Sequence, residues 1–196
     1  MTYTFTQLLV LLIARSLQVS IPILLIMRLR NVRWADYGFV SFRPARDVLV
    51  GIGLTLLGYF SYYAVATLLY NLGVDFSGDY DAIPQITTEA RISLVTIFLI
   101  MAASVANGFA EELAMRSYLL TRLAELVGSS VVAVLVTSVV FAAYHSYQGR
   151  YGVISTLMIG LVLGAYFAKT RRFWPVMIAH FIMDALPLTM IVAAAE

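Results

Sequence analysis

The chain has 196 residues, of which 61% are hydrophobic and 12% are charged, and its mean hydropathy is +0.88. These values are not those of a soluble globular domain, and they predict a protein of the lipid bilayer. The net charge is only +2, and the arginines lie at the ends of apolar segments, so nucleic acid is not an expected partner. The chain has no cysteine, which excludes a disulfide framework and thiol chemistry.

The apolar segments predict helices, because they are continuous and lack the alternation of a membrane β-barrel. The predicted fold class is all-α: a polytopic transmembrane helical bundle of about six spans, forming one domain over residues 1–196. The predicted helices cover residues 6–27, 47–71, 92–126, 129–147, 152–168 and 173–194. The first is interpreted as a retained span, since no positive charge precedes Leu8 as it would in a secretory signal.

The distribution of basic residues predicts the topology of a multi-pass integral protein, which we expect in the cell membrane. Ten of the thirteen Lys and Arg residues lie in segments 28–46, 116–122 and 169–172, which are therefore expected to face the cytoplasm. Both termini and the acidic loop over 72–91 are expected on the other side.

The glycines inside the predicted helices favour close helix packing. Gly51, Gly53 and Gly58 lie in the second helix, and Gly160 and Gly164 have G-x-x-x-G spacing in the fifth. Small residues of this kind allow neighbouring helices to approach each other closely.

Several ionisable residues occur inside the apolar segments, where each costs on the order of 3 kcal/mol to insert and therefore indicates function. Glu112 and Arg116 are four residues apart and are expected to pair on one helix face. Glu111 points about 100° away and is free to face a cavity as a base. Asn107, one turn earlier, could hydrogen-bond Glu111 or a substrate carbonyl. The six candidate site residues are Glu111, Glu112, Arg116, His145, His180 and Asp184.

The two histidines follow helical spacings with possible partners. Asp184 lies one turn after His180 and could accept its second ring N–H, or act beside it as a ligand. Phe141 lies one turn before His145 and is expected to pack against it. Together these helices could supply a base, two imidazoles and an acid to one buried water. Each element alone is also compatible with a structural ion pair or a packing histidine.

Helix depth presents a conflict in this arrangement. If the third helix ended near Glu111 at the cytoplasmic face, His145 would lie about 24 Å up the fourth helix, out of reach. A third helix that continues past Arg116 would bring Glu111 nearer the middle of the bundle and allow the two residues to meet.

Three motifs in this region resemble those of the CAAX protease and bacteriocin-processing (CPBP) intramembrane protease family, which is related to type II CAAX prenyl endopeptidases and abortive-infection proteins. They are E-E-x-x-x-R from Glu111 to Arg116, F-x-x-x-H from Phe141 to His145 and H-x-x-x-D from His180 to Asp184. The resemblance covers about residues 106–186, where the catalytic motifs are expected.

The resemblance implies an all-helical membrane endopeptidase in which the counterparts of Glu111, His145 and His180 activate water. The counterpart of Asp184 is often asparagine, proposed to stabilise the oxyanion, whereas an ionised aspartate would repel it. Zinc or another divalent metal held by Glu111, His145 and His180 is one possibility, and a reaction without metal is the other.

The implied substrate is a peptide or a membrane protein, and a prenylated C-terminus is one option. A non-catalytic immunity or scaffold protein of the same family is the main alternative function. A small proton-coupled transporter, in which the intramembrane acids and histidines would form a proton relay, is a weaker one, because the sequence has no obvious inverted repeats or Pro/Gly-broken helices.

Overall fold

The computed structural model describes residues 3–74, 86–87 and 93–193, and most of these residues are helical. The helices are α1 (Phe5–Leu29), α2 (Pro44–Asn71), α3 (Leu94–Glu112), α4 (Thr121–Val127), α5 (Ser130–Tyr144), α6 (Gly149–Thr170) and α7 (Phe173–Ala193). A π-helical segment, Leu113–Leu120, joins α3 to α4, and 3₁₀ turns occupy Trp34–Tyr37 and Ser146–Gln148. Two short strands, β1 (Tyr3–Thr4) and β2 (Ile86–Thr87), pair in parallel.

Within the described residues, five helices are long and apolar enough to cross a membrane, and Leu94–Val127 counts as one continuous helix of 34 residues. Helix α5 is apolar but has only 15 residues, so it is about 22 Å long against a hydrocarbon core of about 30 Å. The chain is therefore an all-α, multi-pass integral membrane protein. The predicted sixth span is present as a shorter helix.

The helix ends follow local sequence signals, with one difference near the candidate site. Gly128 adopts a φ of 68° and caps α4, as its position after the apolar run predicts. Helix α5, predicted over 129–147, ends at Tyr144, so His145 lies at its C-terminal cap. A 3₁₀ turn follows, and Gly149 with φ of 74° allows the chain to reverse directly into α6. The predicted connection over 72–91 lies mostly outside the described residues.

Glycines set the distance between several packed helices. A Cβ on Gly51 would lie 2.6 Å from Ile178 Cγ2, which shows how closely α2 approaches α7. A Cβ on Gly160 would lie 3.1 Å from Ser138 Cβ at the contact between α6 and α5. Gly53 has nothing within 4 Å of its Cβ position, so its predicted packing role is not observed.

A buried ion pair fastens the start of α7 to α2. Arg172 Nη2 lies 2.8 and 2.9 Å from the two carboxylate oxygens of Asp47, whose side chain is fully buried. Trp174 Nε1 donates to the carbonyl of Val40, 2.8 Å away. These contacts fix the N-terminal end of α7, two turns before His180.

Candidate active site

Helix α3 and its continuation bring Glu111 within reach of both histidines. Glu111 Oε2 lies 3.3 Å from His180 Nε2 and 3.9 Å from His145 Nε2. The third helix does continue past Arg116, to Val127, as the sequence required for these residues to meet. This resolves the depth conflict: Glu111 lies within the long third helix, and His145, at the C-terminal end of the short helix α5, lies at the same depth.

The predicted pair between Glu112 and Arg116 is present and deeply buried. Arg116 Nη1 donates to Glu112 Oε1 over 2.8 Å, and the two side chains are 2% and 0% exposed. The guanidinium also lies over the ring of Phe141, with 4.6 Å between Cζ and the ring centroid. Arg116 belongs to the π-helical segment, which the sequence did not predict; such segments occur frequently at functional sites.

Glu112 also binds His180, which gives it a second role. Its Oε1 lies 2.7 Å from His180 Nδ1, whereas Asp184 Oδ1 lies 3.8 Å from the other ring nitrogen. The sequence spacing had suggested that Asp184 fixes the imidazole, and the structure gives that contact to Glu112. Because an ionised carboxylate can only accept, Nδ1 is the donor, and in the neutral ring Nε2 presents its lone pair to Glu111.

His145 is oriented by its own helix. Its Nδ1 lies 2.8 Å from the carbonyl oxygen of Phe141, and a carbonyl can only accept, so Nδ1 carries the proton. Nε2 of the neutral ring then faces Glu111. The ring of Phe141 packs edge-on against the imidazole at a centroid distance of 4.6 Å, which agrees with its predicted packing role.

Asp184 pairs with Asn107 across the contact between α3 and α7. Asn107 Nδ2 donates to Asp184 Oδ2 over 2.9 Å. The sequence had suggested a bond from Asn107 to Glu111 or to substrate, and it contained no signal for this partner, 77 residues away. Only the crossing of the two helices brings these side chains together.

At the centre of the site, a carboxylate oxygen of Glu111 faces the Nε2 atoms of His145 and His180. Glu111 Oε2 is buried and, within the described residues, has no well-aligned hydrogen-bond donor. When both rings are neutral, three acceptors converge here, and a proton donor or a cation between them would satisfy all three, because buried acceptors without partners are costly. The arrangement suits a water molecule that gives one proton to the carboxylate and another to an imidazole.

The possible metal set was Glu111, His145 and His180, which is chemically suited to zinc. Among residues 3–74, 86–87 and 93–193, however, no group of three His, Cys, Asp or Glu side chains is arranged to hold a metal ion. A metal at Glu111, His145 and His180 stays a prediction, and the proposed reaction is written with water.

A cavity of about 380 Å³ lies beside His145. It is lined by Val74, Ser146, Gly149, Arg150, Val153 and Ile154. Its described lining is mostly apolar and does not include Glu111, so it flanks the histidine-bearing turn without enclosing the carboxylate.

Residues 93–186 match a family model described as Type II CAAX prenyl endopeptidase Rce1-like, and this segment contains all six candidate site residues. This segment is similar to the Rce1-like family. The match confirms the resemblance to CAAX-type intramembrane proteases that the three motifs indicated. No curated protein and no solved structure matches the chain. The Rce1-like segment comprises α3 to most of α7, while α1 and α2 precede it.

Proposed function

We propose that this protein is an intramembrane endopeptidase that hydrolyses a peptide bond with water activated by Glu111, His145 and His180. The observation that carries the proposal is the buried Glu111 Oε2, which faces the Nε2 atoms of both histidines at 3.3 and 3.9 Å. The match of residues 93–186 to a protease family model supports an enzyme of this class.

The reaction follows from this geometry. A water between the three acceptors donates one proton to Glu111 Oε2 and hydrogen-bonds an imidazole Nε2 through the other, so its oxygen lone pair is directed at the substrate carbonyl carbon. The new C–O bond gives a tetrahedral intermediate with a negative oxygen. Collapse of the intermediate breaks the C–N bond, and the proton held by Glu111 passes to the leaving nitrogen, directly or through His180 Nε2.

Glu112 and Arg116 act through His180 and do not touch the reacting atoms. Arg116 neutralises Glu112, and Glu112 holds the imidazole by its Nδ1–H, so Nε2 stays directed at Glu111. An outer carboxylate of this kind fixes both the tautomer and the orientation of a histidine. The pair therefore prepares the site before substrate arrives.

The proposed substrate is a prenylated peptide that ends in a Cys-a-a-X sequence, in agreement with the description of the matched family. Such a peptide carries its own lipid anchor, and so it partitions to a site inside the bilayer. Leader peptides and fragments of membrane proteins are the other substrate classes that a buried peptidase site would accept.

The test uses the full chain reconstituted in liposomes. The probe is a fluorescent peptide with an S-farnesyl cysteine and a free C-terminus, incubated in ¹⁸O-enriched water, and an otherwise identical peptide with an unmodified cysteine is the control. We expect cleavage after the farnesylated cysteine, with one ¹⁸O in the new carboxyl group by mass spectrometry. Equal cleavage of the farnesylated peptide by the wild type and by Glu111→Gln would overturn the proposed role of Glu111, and absence of cleavage by the wild type would overturn the prenylated substrate.

A further inference from the structure

We propose that Asn107 supplies the hydrogen bond that stabilises the oxyanion, and that Asp184 is the residue that positions it. This inference rests on the proposed peptidase function. Asn107 and Asp184 then have different tasks, which their spacing in the sequence does not decide.

Electrostatics argue against Asp184 as the oxyanion donor. An ionised carboxylate accepts hydrogen bonds and repels a developing negative charge. Its Oδ2 already receives the Asn107 amide at 2.9 Å, while Oδ1 is 3.8 Å from His180 Nε2. One carboxylate oxygen of Asp184 is thus occupied by the Asn107 amide.

The same bond fixes the orientation of the Asn107 amide. Because Asp184 is the acceptor, the NH₂ group of Asn107 faces it and the amide oxygen is turned away. One N–H of this group is bound to Asp184, and the second N–H is the one that we assign to the oxyanion. Asn107 lies one helical turn before Glu111 on the same face of α3, so a neutral donor stands next to the base.

The backbone around Asn107 is held rigidly against α7. A Cβ on the next residue, Gly108, would lie 3.1 Å from the backbone nitrogen of Phe181 and 3.5 Å from His180 Cβ. This close approach places Asn107 and His180 on facing helices with little freedom to separate. A donor fixed before the reaction begins is the kind that stabilises a transition state most effectively.

The experiment measures kcat and KM with the farnesylated peptide in liposomes for four variants. Asn107→Leu removes the donor, and Asn107→Asp keeps the shape but sets a carboxylate against Asp184. We expect kcat to fall by about 100-fold in both, with KM nearly unchanged, because an oxyanion contact is made only in the transition state. Asp184→Leu removes the acceptor that orients the Asn107 amide and should also lower kcat. The exchange Asn107→Asp with Asp184→Asn restores an amide facing a carboxylate and should recover part of the kcat lost in Asn107→Asp.

The outcomes separate this inference from the proposed function. Wild-type kcat in Asn107→Leu, with Glu111→Gln inactive, would overturn the role of Asn107 and leave Glu111 as the base. Wild-type kcat in Asp184→Leu would overturn the positioning role of Asp184. Full cleavage by Glu111→Gln would instead contradict the proposed function.

Thermal unfolding in detergent is measured for each variant as a control for folding. If Asn107→Leu does not fold, the nearly isosteric variant Asn107→Asp tests the role of Asn107.

Discussion

Glu112 Oε1 lies 2.7 Å from His180 Nδ1, so a carboxylate on α3 orients an imidazole on α7. The same oxygen receives Arg116 at 2.8 Å. Two adjacent glutamates therefore have separate tasks: Glu111 faces the two Nε2 atoms and Glu112 fixes the ring that carries one of them. The separation follows from the angle of about 100° between neighbouring residues of a helix.

Replacing Glu112 by Gln should lower kcat by about 10- to 100-fold, because the amide is a weaker partner for His180 Nδ1 and no longer selects one tautomer. The control is Glu125→Gln, which removes a carboxylate exposed on α4 and paired with Arg122. We expect wild-type kinetics for this control. Unchanged kcat in Glu112→Gln would show that catalysis does not depend on the orientation of the His180 ring by Glu112.

Replacing Arg116 by Met should destabilise the fold, because it leaves the carboxylate of Glu112 buried with one partner fewer. Breaking a buried ion pair from one side costs about 3–5 kcal/mol. The double variant Arg116→Met with Glu112→Gln removes the uncompensated charge and should unfold at a higher temperature than Arg116→Met alone. Thermal unfolding in detergent measures both, and equal stability of the single and double variants would contradict the expected coupling.

The ion pair between Asp47 and Arg172 gives a second stability prediction, distant from the chemistry. Arg172→Ala leaves a fully buried Asp47 carboxylate without its main partner and should lower the free energy of unfolding by about 3–5 kcal/mol. Arg46→Ala, at an exposed position on the same helix as Asp47, is the matched control and should have little effect. A similar decrease in the free energy of unfolding for both variants would show that the ion pair between Asp47 and Arg172 makes no specific contribution to stability.

Part of the site followed from the sequence because its members share one helix. Glu112 and Arg116 are separated by a single turn, so helical spacing alone predicted their contact. The bond from Glu112 to His180 spans 68 residues and depends on how α3 crosses α7. Spacing within α7 favoured Asp184 as the partner of His180, and it could not reveal that Glu112 reaches the same ring from another helix.

The fold shows the same division between local and distant effects. Apolar run length predicted a helical membrane bundle, and Gly128 predicted the end of the long third helix. The early end of α5 at Tyr144 was not predicted, because Tyr144 to Tyr147 contains no glycine or proline to mark the boundary. The π-helical segment around Arg116 was also missed, since Leu113–Leu120 has no composition that separates it from an ordinary helix.

Two glycines of α2 provide a paired test of helix packing. Gly51→Ala places a methyl group against Ile178 and the carbonyl of Pro175, and such overpacking costs about 1–3 kcal/mol. Gly53→Ala meets nothing within 4 Å and should stabilise the helix by up to about 1 kcal/mol through its better helix propensity. Unfolding temperatures should therefore move in opposite directions. A shift of the same sign in both variants would contradict the close approach of α2 to α7.

The most direct test of the central claim is kcat/KM for Glu111→Gln in liposomes with the farnesylated peptide. The substitution keeps the size of the side chain but removes the base between the two histidines. We expect cleavage to become undetectable while the unfolding temperature stays near that of the wild type, and Glu125→Gln prepared in parallel should cleave normally. Retention of wild-type kcat/KM by Glu111→Gln would contradict the assignment of Glu111 as the residue that activates water.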